Sequence, residues 1–171
     1  MWKKEDLEKK AHDELRLIPG AEWIKNRYRS LEIIILNRTS HTLELGNRSY
    51  FHSGCFSHPP QEKVKPGTFD AFTVSNVEGS VMCGVTGALQ YKISGITQYL
   101  HIGFCNPATG TYKYYIGITT DQPPNFGYDE CVDVEPDQPL VAWNQLFRMV
   151  TRTGEPVHAQ NLMVFDFEHN Q

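Results

Sequence analysis

The sequence lacks two features that would place it inside a membrane or on nucleic acid. No apolar run approaches the roughly 20 residues that a membrane-spanning helix needs. Positive charge is not in excess either. Residues 1–29 hold 8 Lys or Arg against 6 Asp or Glu, and subtracting these from the totals of 16 and 20 leaves 8 against 14 for residues 30–171. An acidic body repels a phosphate backbone, so we expect no nucleic-acid partner.

The N-terminus lacks the apolar segment of a secretory leader, because it reads "MWKKEDLEKK". We therefore expect either a secreted, target-membrane-associated protein whose leader is absent from this chain, or a cytoplasmic protein. The apolar share of 40% is typical of a folded globular domain rather than of a disordered chain.

Recognisable catalytic and metal-binding motifs are also absent. The four cysteines are too widely spaced for a zinc ribbon or a Cys-x-x-Cys pair, and no P-loop, Rossmann fingerprint or Gly-x-Ser-x-Gly elbow occurs. His52, Cys55 and His58 lie close together, but no acidic residue nearby would orient a catalytic base. The acidic stretch 128–139 lacks the glycine turn of an EF-hand, which favours a solvated edge. We expect no enzymatic activity, no metal and no cofactor.

Short β-branched or alternating runs dominate the sequence from Ser30 onwards. Separated by turn residues, they predict an antiparallel β-sandwich or barrel. Helical propensity is confined to Lys3–Ile18, which Pro19-Gly20 ends, and to a second, shorter candidate at residues 140–150. The sequence predicts a mainly β protein in which a helical arm (residues 1–29) precedes a β-sandwich (residues 30–171).

The predicted arm helix carries a narrow apolar stripe formed by Leu7, Ala11, Leu15 and Ile18. Two interpretations are open. The stripe either packs the helix on the sandwich or inserts into a bilayer, with the charged face lining an aqueous lumen.

A hairpin is predicted on either side of Ser94-Gly95. Positions whose numbers sum to about 189 would then face each other, which makes Cys83 and Cys105 near neighbours. Neighbouring strands do not by themselves give disulfide geometry, so we expect free thiols there.

Tyrosines cluster in the stretch "NPATGTYKYYIGI". On an extended strand Tyr112 and Tyr114 share one face, and Tyr115 takes the other. These rings either stabilise the sheet or line a pocket that holds a choline ammonium by cation–π attraction.

Four stretches in order resemble the actinoporin-like cytolysins, the family of the sea-anemone pore-forming toxins and their relatives. They are "NRSYFHSG", "CGVTGALQYKI", "GFCNPATGTYKYYIGI" and "TRTGEPVHAQNLMVFDFE". The resemblance implies a β-sandwich of about ten strands flanked by two helices, the first of which inserts into the membrane as the protein oligomerises. It also implies a phosphocholine pocket, for which the matching positions are Ser53, Val85, Tyr112, Tyr114 and Tyr128.

Two functions are therefore expected as alternatives. The first is binding of membrane lipid headgroups of the phosphocholine or sphingomyelin type, with pore formation by the N-terminal helix. Such a protein would be a monomer in solution and a homo-oligomer on membranes. The second is non-lytic binding of glycans by a lectin-like module, because the fungal fruit-body lectins share this sandwich architecture.

Overall fold

The computed structural model describes residues 2–18, 24, 26–120, 131–135 and 137–170. These residues form one α-helix, α1 (Lys4–Leu17), and thirteen strands. The strands are β1 (Ser30–Arg38), β2 (Leu43–Glu44), β3 (Ser49–Ser53), β4 (Cys55–His58), β5 (Lys63–Val64), β6 (Thr68–Ser75), β7 (Val85–Ile93), β8 (Gln98–Asn106), β9 (Lys113–Thr119), β10 (Val132–Asp133), β11 (Leu140–Trp143), β12 (Phe147–Gly154) and β13 (Asn161–His169).

The strands form two sheets that pack face to face, as the predicted β-sandwich requires. Sheet A has the strand order β11-β12-β13-β1-β6-β4. Sheet B has the order β10-β9-β8-β7-β2-β5, and β3 also pairs with β7. Antiparallel pairing prevails, whereas β1 and β13 run parallel at the centre of sheet A.

Alternation along β1 divides its side chains between two apolar clusters. Ile33 and Ile35 point into the core between the sheets, where they meet aromatic side chains such as Phe72 of β6. Ile34 and Leu36 point to the outer face of sheet A and are also fully buried. This second cluster exists because α1 covers the outer face.

The arm helix packs on sheet A, which is one of the two interpretations left open by the sequence. Leu7, Ala11 and Leu15 are buried against the outer face, and Ile18 packs at the edge of the same cluster. An ion pair between Glu8 and Arg152 of β12 fixes the helix laterally. No helix in the described ranges is both long and apolar enough to cross a bilayer.

The prediction of a second helix at residues 140–150 was wrong. This stretch forms β11 and β12, joined by a tight turn in which Asn144 Oδ1 accepts hydrogen bonds from the amides of Leu146 (2.8 Å) and Phe147 (2.9 Å). Leu140 and Ala142 pack on the core, so the apolar period is two rather than 3.6. Residues with good helix propensity adopt strands here because the core accepts them only in that conformation.

The expected number of strands was also too low, since thirteen are described rather than about ten. Three of them, β2, β5 and β10, are only two residues long. A two-residue strand is defined by its neighbours and carries no periodicity of its own.

The predicted hairpin at Ser94-Gly95 is confirmed, with a register two positions from the expected one. Val85 pairs with Asn106 and Ile93 with Gln98, so facing positions sum to 191. Cys105 therefore faces Thr86, while Cys83 precedes β7 in the loop. Cys83 and Cys105 are free thiols in the structure.

The packing of α1 predicts unequal effects for two neighbouring leucines. Leu15 is fully buried, whereas Leu17 is 76% exposed. Truncating Leu15→Ala should lower the free energy of unfolding by about 2–5 kcal/mol, whereas Leu17→Ala should change it by less than about 0.5 kcal/mol. Urea unfolding of the three proteins measures both values. An unchanged midpoint for Leu15→Ala, combined with faster proteolysis within residues 2–18, would show that α1 unfolds on its own.

A buried carboxyl lies in the core between the sheets. Asp70 of β6 pairs with the inward-facing Ile35 and is almost completely buried, and its Oδ2 accepts a hydrogen bond from the amide of Gln61 (2.9 Å). Burial, with a smaller contribution from the nearby Glu14, raises the pKa of Asp70 to about 6 against an ordinary value of 3.8, although hydrogen bonds from the amides of Gln61 and Ala71 oppose this shift. The folded protein therefore binds a proton at Asp70 more tightly than the unfolded chain does.

Asp70 should make the folded state more stable as the pH falls from about 6 to about 4, because its pKa is higher when folded. Two pKa units correspond to roughly 3 kcal/mol, a contribution that is complete below the unfolded pKa and absent above pH 6. Burial lowers the pKa of His101 to about 4, which acts in the opposite direction over this range. We therefore compare the wild-type protein with the variant Asp70→Asn. His101 contributes equally to both, so its contribution cancels in the difference between their unfolding free energies. The difference in unfolding free energy should shift by roughly 2–3 kcal/mol in favour of the wild type between pH 7 and pH 4.

Candidate functional site

The two ends of the sandwich differ in their loops. At one end, which we call the loop end, the chain passes from β3 in sheet B to β4 in sheet A through Gly54, flanked by loops 76–84 and 107–112. Gly54 has φ +88°, and a Cβ there would lie 2.7 Å from the carbonyl oxygen of Ser75 and from Cγ2 of Val85. Only glycine allows the sheets to approach this closely. Because β3 and β4 belong to different sheets, His52 and Cys55 lie on different layers.

A row of polar side chains crosses the outer face of sheet B at the loop end. Pairing aligns one residue from each of five strands: Ser53, Thr86, Cys105, Lys113 and Asp133. These residues face outward because their neighbours along the chain, such as Val85 and Phe104, are buried in the core. Thr86 Oγ1 lies 3.1 Å from Cys105 Sγ, and Lys113 Nζ lies 3.7 Å from Asp133 Oδ1.

A cavity of about 460 Å³ opens where this row meets loop 107–112. Its lining includes both charges of the row, two thiols and two hydroxyls: Cys105, Pro107, Thr109, Gly110, Thr111, Lys113, Cys131 and Asp133. The adjacent ammonium and carboxylate could bind a small group that itself carries one charge of each sign.

Arg29 fixes the loop that walls this cavity. Its Nε donates to the carbonyl of Pro107 (2.8 Å) and its Nη2 to the carbonyl of Ala108 (2.8 Å). Its Nη1 donates to the carbonyl of Tyr28 (2.8 Å), and the guanidinium lies 4.2 Å from the centre of the Tyr28 ring. Tyr28 also donates from its hydroxyl to the carbonyl of Ala108 (3.2 Å). The start of loop 107–112 is therefore held in one conformation before any ligand arrives.

Loop 76–84 exposes three apolar side chains at the same end of the sandwich. Val77, Val81 and Met82 are 53%, 77% and 65% exposed, respectively. The base of the loop is ordered by Asn76, whose Oδ1 accepts from the amide of Arg29 (3.0 Å) and whose Nδ2 donates to Ser80 Oγ (3.0 Å). Exposed apolar residues on an ordered loop form a surface that could contact a lipid interface.

The structure distributes the predicted headgroup residues differently from the sequence-based expectation. Ser53 lies in the polar row and is half-buried. Tyr112 and Tyr114 do share one face, but it is the inner one. Tyr114 and Val85 are buried in the core, so neither side chain reaches the surface cavity. Tyr128 lies outside the described residues.

Tyr112 is partly buried and packs against the core rather than on the outer face. Burial raises the pKa of Tyr112 and Tyr114, and a hydrogen bond with Thr153 partly offsets this effect at Tyr112. Lys113, between the two tyrosines, supplies the outward side chain instead. Period-two alternation on β9 could have identified Lys113 from the sequence, once Tyr114 was assigned to the core.

Comparisons with known proteins find similarity in fold. No family model matches the chain, and no curated protein matches it. Among solved structures, the chain is similar to the crystal structure of the lipid binding protein Nakanori, with a TM-score of 0.66 at 13% sequence identity. The similarity covers 98% of this chain and 80% of that one. It shows that the two proteins share the sandwich fold.

Proposed function

We propose that this protein binds zwitterionic headgroups of membrane lipids, of the phosphocholine or sphingomyelin type, at the loop end of its sandwich. The proposal rests on one observation: a cavity that presents an ammonium beside a carboxylate lies at the same end as a loop with exposed apolar side chains. The fold shared with a protein described as lipid binding supports the same function. Binding of this kind needs no catalytic step.

Charge complementarity orients the headgroup in this proposal. The Lys113 ammonium would pair with the phosphate, and the Asp133 carboxylate would pair with the choline nitrogen. Both side chains are partly exposed, so each contact contributes modestly in water. The apolar side chains of loop 76–84 would enter the interface beside the headgroup and add affinity through burial.

Pore formation would demand more than headgroup binding, because it requires α1 to leave sheet A. The helix is 14 residues long, or about 21 Å at 1.5 Å per residue. The hydrocarbon core is about 30 Å thick, so additional residues would have to join the helix in a membrane. Detachment would also expose Ile34 and Leu36, which α1 covers.

Removing the exposed apolar side chains should weaken membrane binding. The double variant Val81→Ser, Met82→Asn is suited to this test because Met82 has φ +57°, a conformation that asparagine tolerates. If Val81 and Met82 each gain half of their full burial energy in the membrane interface, losing both should lower the affinity for vesicles roughly tenfold or more. Sedimentation with sphingomyelin–phosphatidylcholine vesicles measures it.

The matched control for this variant is Leu146→Ser, which removes an exposed apolar side chain at the opposite end of the sandwich. Its vesicle affinity should equal that of the wild type. Equal affinity of the loop variant and the wild type would contradict the proposed orientation. Dye release from the same vesicles at saturating binding would support pore formation, whereas binding without release would restrict the function to lipid binding.

Neutralising the charges of the cavity should weaken recognition of the headgroup itself. Lys113→Gln and Asp133→Asn should each reduce the affinity for soluble phosphocholine by up to about fivefold, as expected for a partly exposed charge contact of about 1 kcal/mol. Lys92→Gln is the control, since Lys92 is exposed on the same sheet away from the loop end. Calorimetric titration provides the affinities. If neither variant loses more affinity for phosphocholine than Lys92→Gln does, the cavity is not the headgroup site.

A further inference from the structure

A second cavity lies on the outer face of sheet A, far from the polar row of sheet B. It has a volume of about 580 Å³ and lies between the first turn of α1 and the strands β1, β12 and β13. The apolar part of this face is covered by α1, whereas the part beside the helix N-terminus is charged. We call this cavity the α1 groove.

The floor of the α1 groove is a connected array of charged side chains. Arg38 donates from Nε and Nη2 to the two carboxylate oxygens of Asp166 (2.9 and 2.8 Å) and from Nη2 to Glu168 (2.6 Å). Glu168 also accepts from Arg148 (3.3 Å). Arg38, Asp166 and Glu168 are largely buried, and mutual pairing fixes their positions. The floor thus offers polar groups of both kinds in a rigid arrangement.

One indole ring lines the groove beside this floor. Trp2 lines the groove, and its ring lies directly over Gly67, which has φ +69° and no room for a Cβ. Trp143 of β11 lies on the same face of sheet A but outside the lining of the groove, where it pairs in register with Arg148 and is 68% exposed. The ring of Trp2 is therefore fixed by backbone contact, and that of Trp143 is open to solvent.

The groove is positively charged although the whole chain has a formal charge of −4. Five Lys or Arg side chains and three Asp or Glu side chains line it. Within the described part of the chain, Lys3 and Lys4 form no ion pair, whereas Arg38, Arg148 and Arg152 each pair with a carboxylate. Two ammonium groups at the rim are thus available to an anion.

We propose that the α1 groove binds an acidic carbohydrate, a pyranose that carries a carboxylate or a sulfate. The Trp2 indole packs on the C–H surface of a sugar ring, and the fixed floor hydrogen-bonds to its hydroxyls. Lys3 and Lys4 neutralise the acidic group. A bare anion needs no indole, and a lipid chain needs more apolar lining than Trp2 and Val150 supply. The groove lies apart from the loop end, so both sites can be occupied at once.

Calorimetric titration of the full chain with 3′-sialyllactose tests the proposal, with lactose and inorganic sulfate as comparison probes. Sialyllactose should bind saturably, and lactose at least tenfold more weakly. Sulfate should compete only at far higher concentration, because it engages the lysines alone. Absence of sialyllactose binding at millimolar concentration would overturn the proposal, as would equal competition by sulfate.

Two variants place the binding in the groove. Lys3→Gln with Lys4→Gln should reduce the affinity for sialyllactose at least tenfold, and Trp2→Ser should reduce it several-fold. Lys9→Gln with Lys10→Gln is the matched control, because it removes the same charge from exposed positions of the same helix. Circular dichroism confirms that each variant is folded. Affinities equal to that of the control in both variants would exclude the groove.

Discussion

The burial of β1 on both of its faces is the constraint on which the rest of the structure depends. One face contributes Ile33 and Ile35 to the core between the sheets, and the other contributes Ile34 and Leu36 to the contact with α1. A strand with two apolar faces cannot lie at an edge or face water, so it requires a sheet partner on each side and a helix above it. Even its acidic residue is enclosed. Glu32 is fully buried and accepts hydrogen bonds from the amides of Val157 (2.6 Å) and His158 (3.0 Å), which anchors loop 155–160 to the centre of sheet A.

The two sheets carry different kinds of side chain on their outer faces. Sheet B presents the polar row and its cavity, beside a loop with exposed apolar residues. Sheet A presents the α1 groove next to the helix that covers its apolar part. Since the β-sandwich supplies a rigid core, each face can change its ligand chemistry through outward residues alone. Arg29 links the two sheets at the loop end. It directly precedes β1 of sheet A, and its guanidinium donates hydrogen bonds to two carbonyls of loop 107–112 of sheet B.

Sequence patterns predicted the layered β fold, the arm helix to within a residue at each end, and the β7–β8 hairpin, because each depends on local periodicity or on a glycine turn. They failed where tertiary packing decides. The stretch at residues 140–150 has helical propensity, but its side chains fill the core only as two strands. The prediction that Tyr112 and Tyr114 share one face of β9 was correct. Which face points into the core, however, depends on how β9 pairs with β8 and β10. The α1 groove could not be predicted, because Lys3, Arg38, Arg148 and Glu168 come from four distant parts of the chain.

The parallel pairing of β1 with β13 determines when the protein can fold during synthesis. Leu31 pairs with Asn161, which is made 130 residues later. At about 5–20 residues per second, that interval is roughly 7–26 s. Throughout this time β6 can pair with one edge of β1, but the other edge has no partner until β13 is made. Contacts of such sequence separation make folding slow. Until β13 has been synthesised, the nascent chain therefore exposes one edge of β1 and its apolar side chains, and sheet A is completed only after that point.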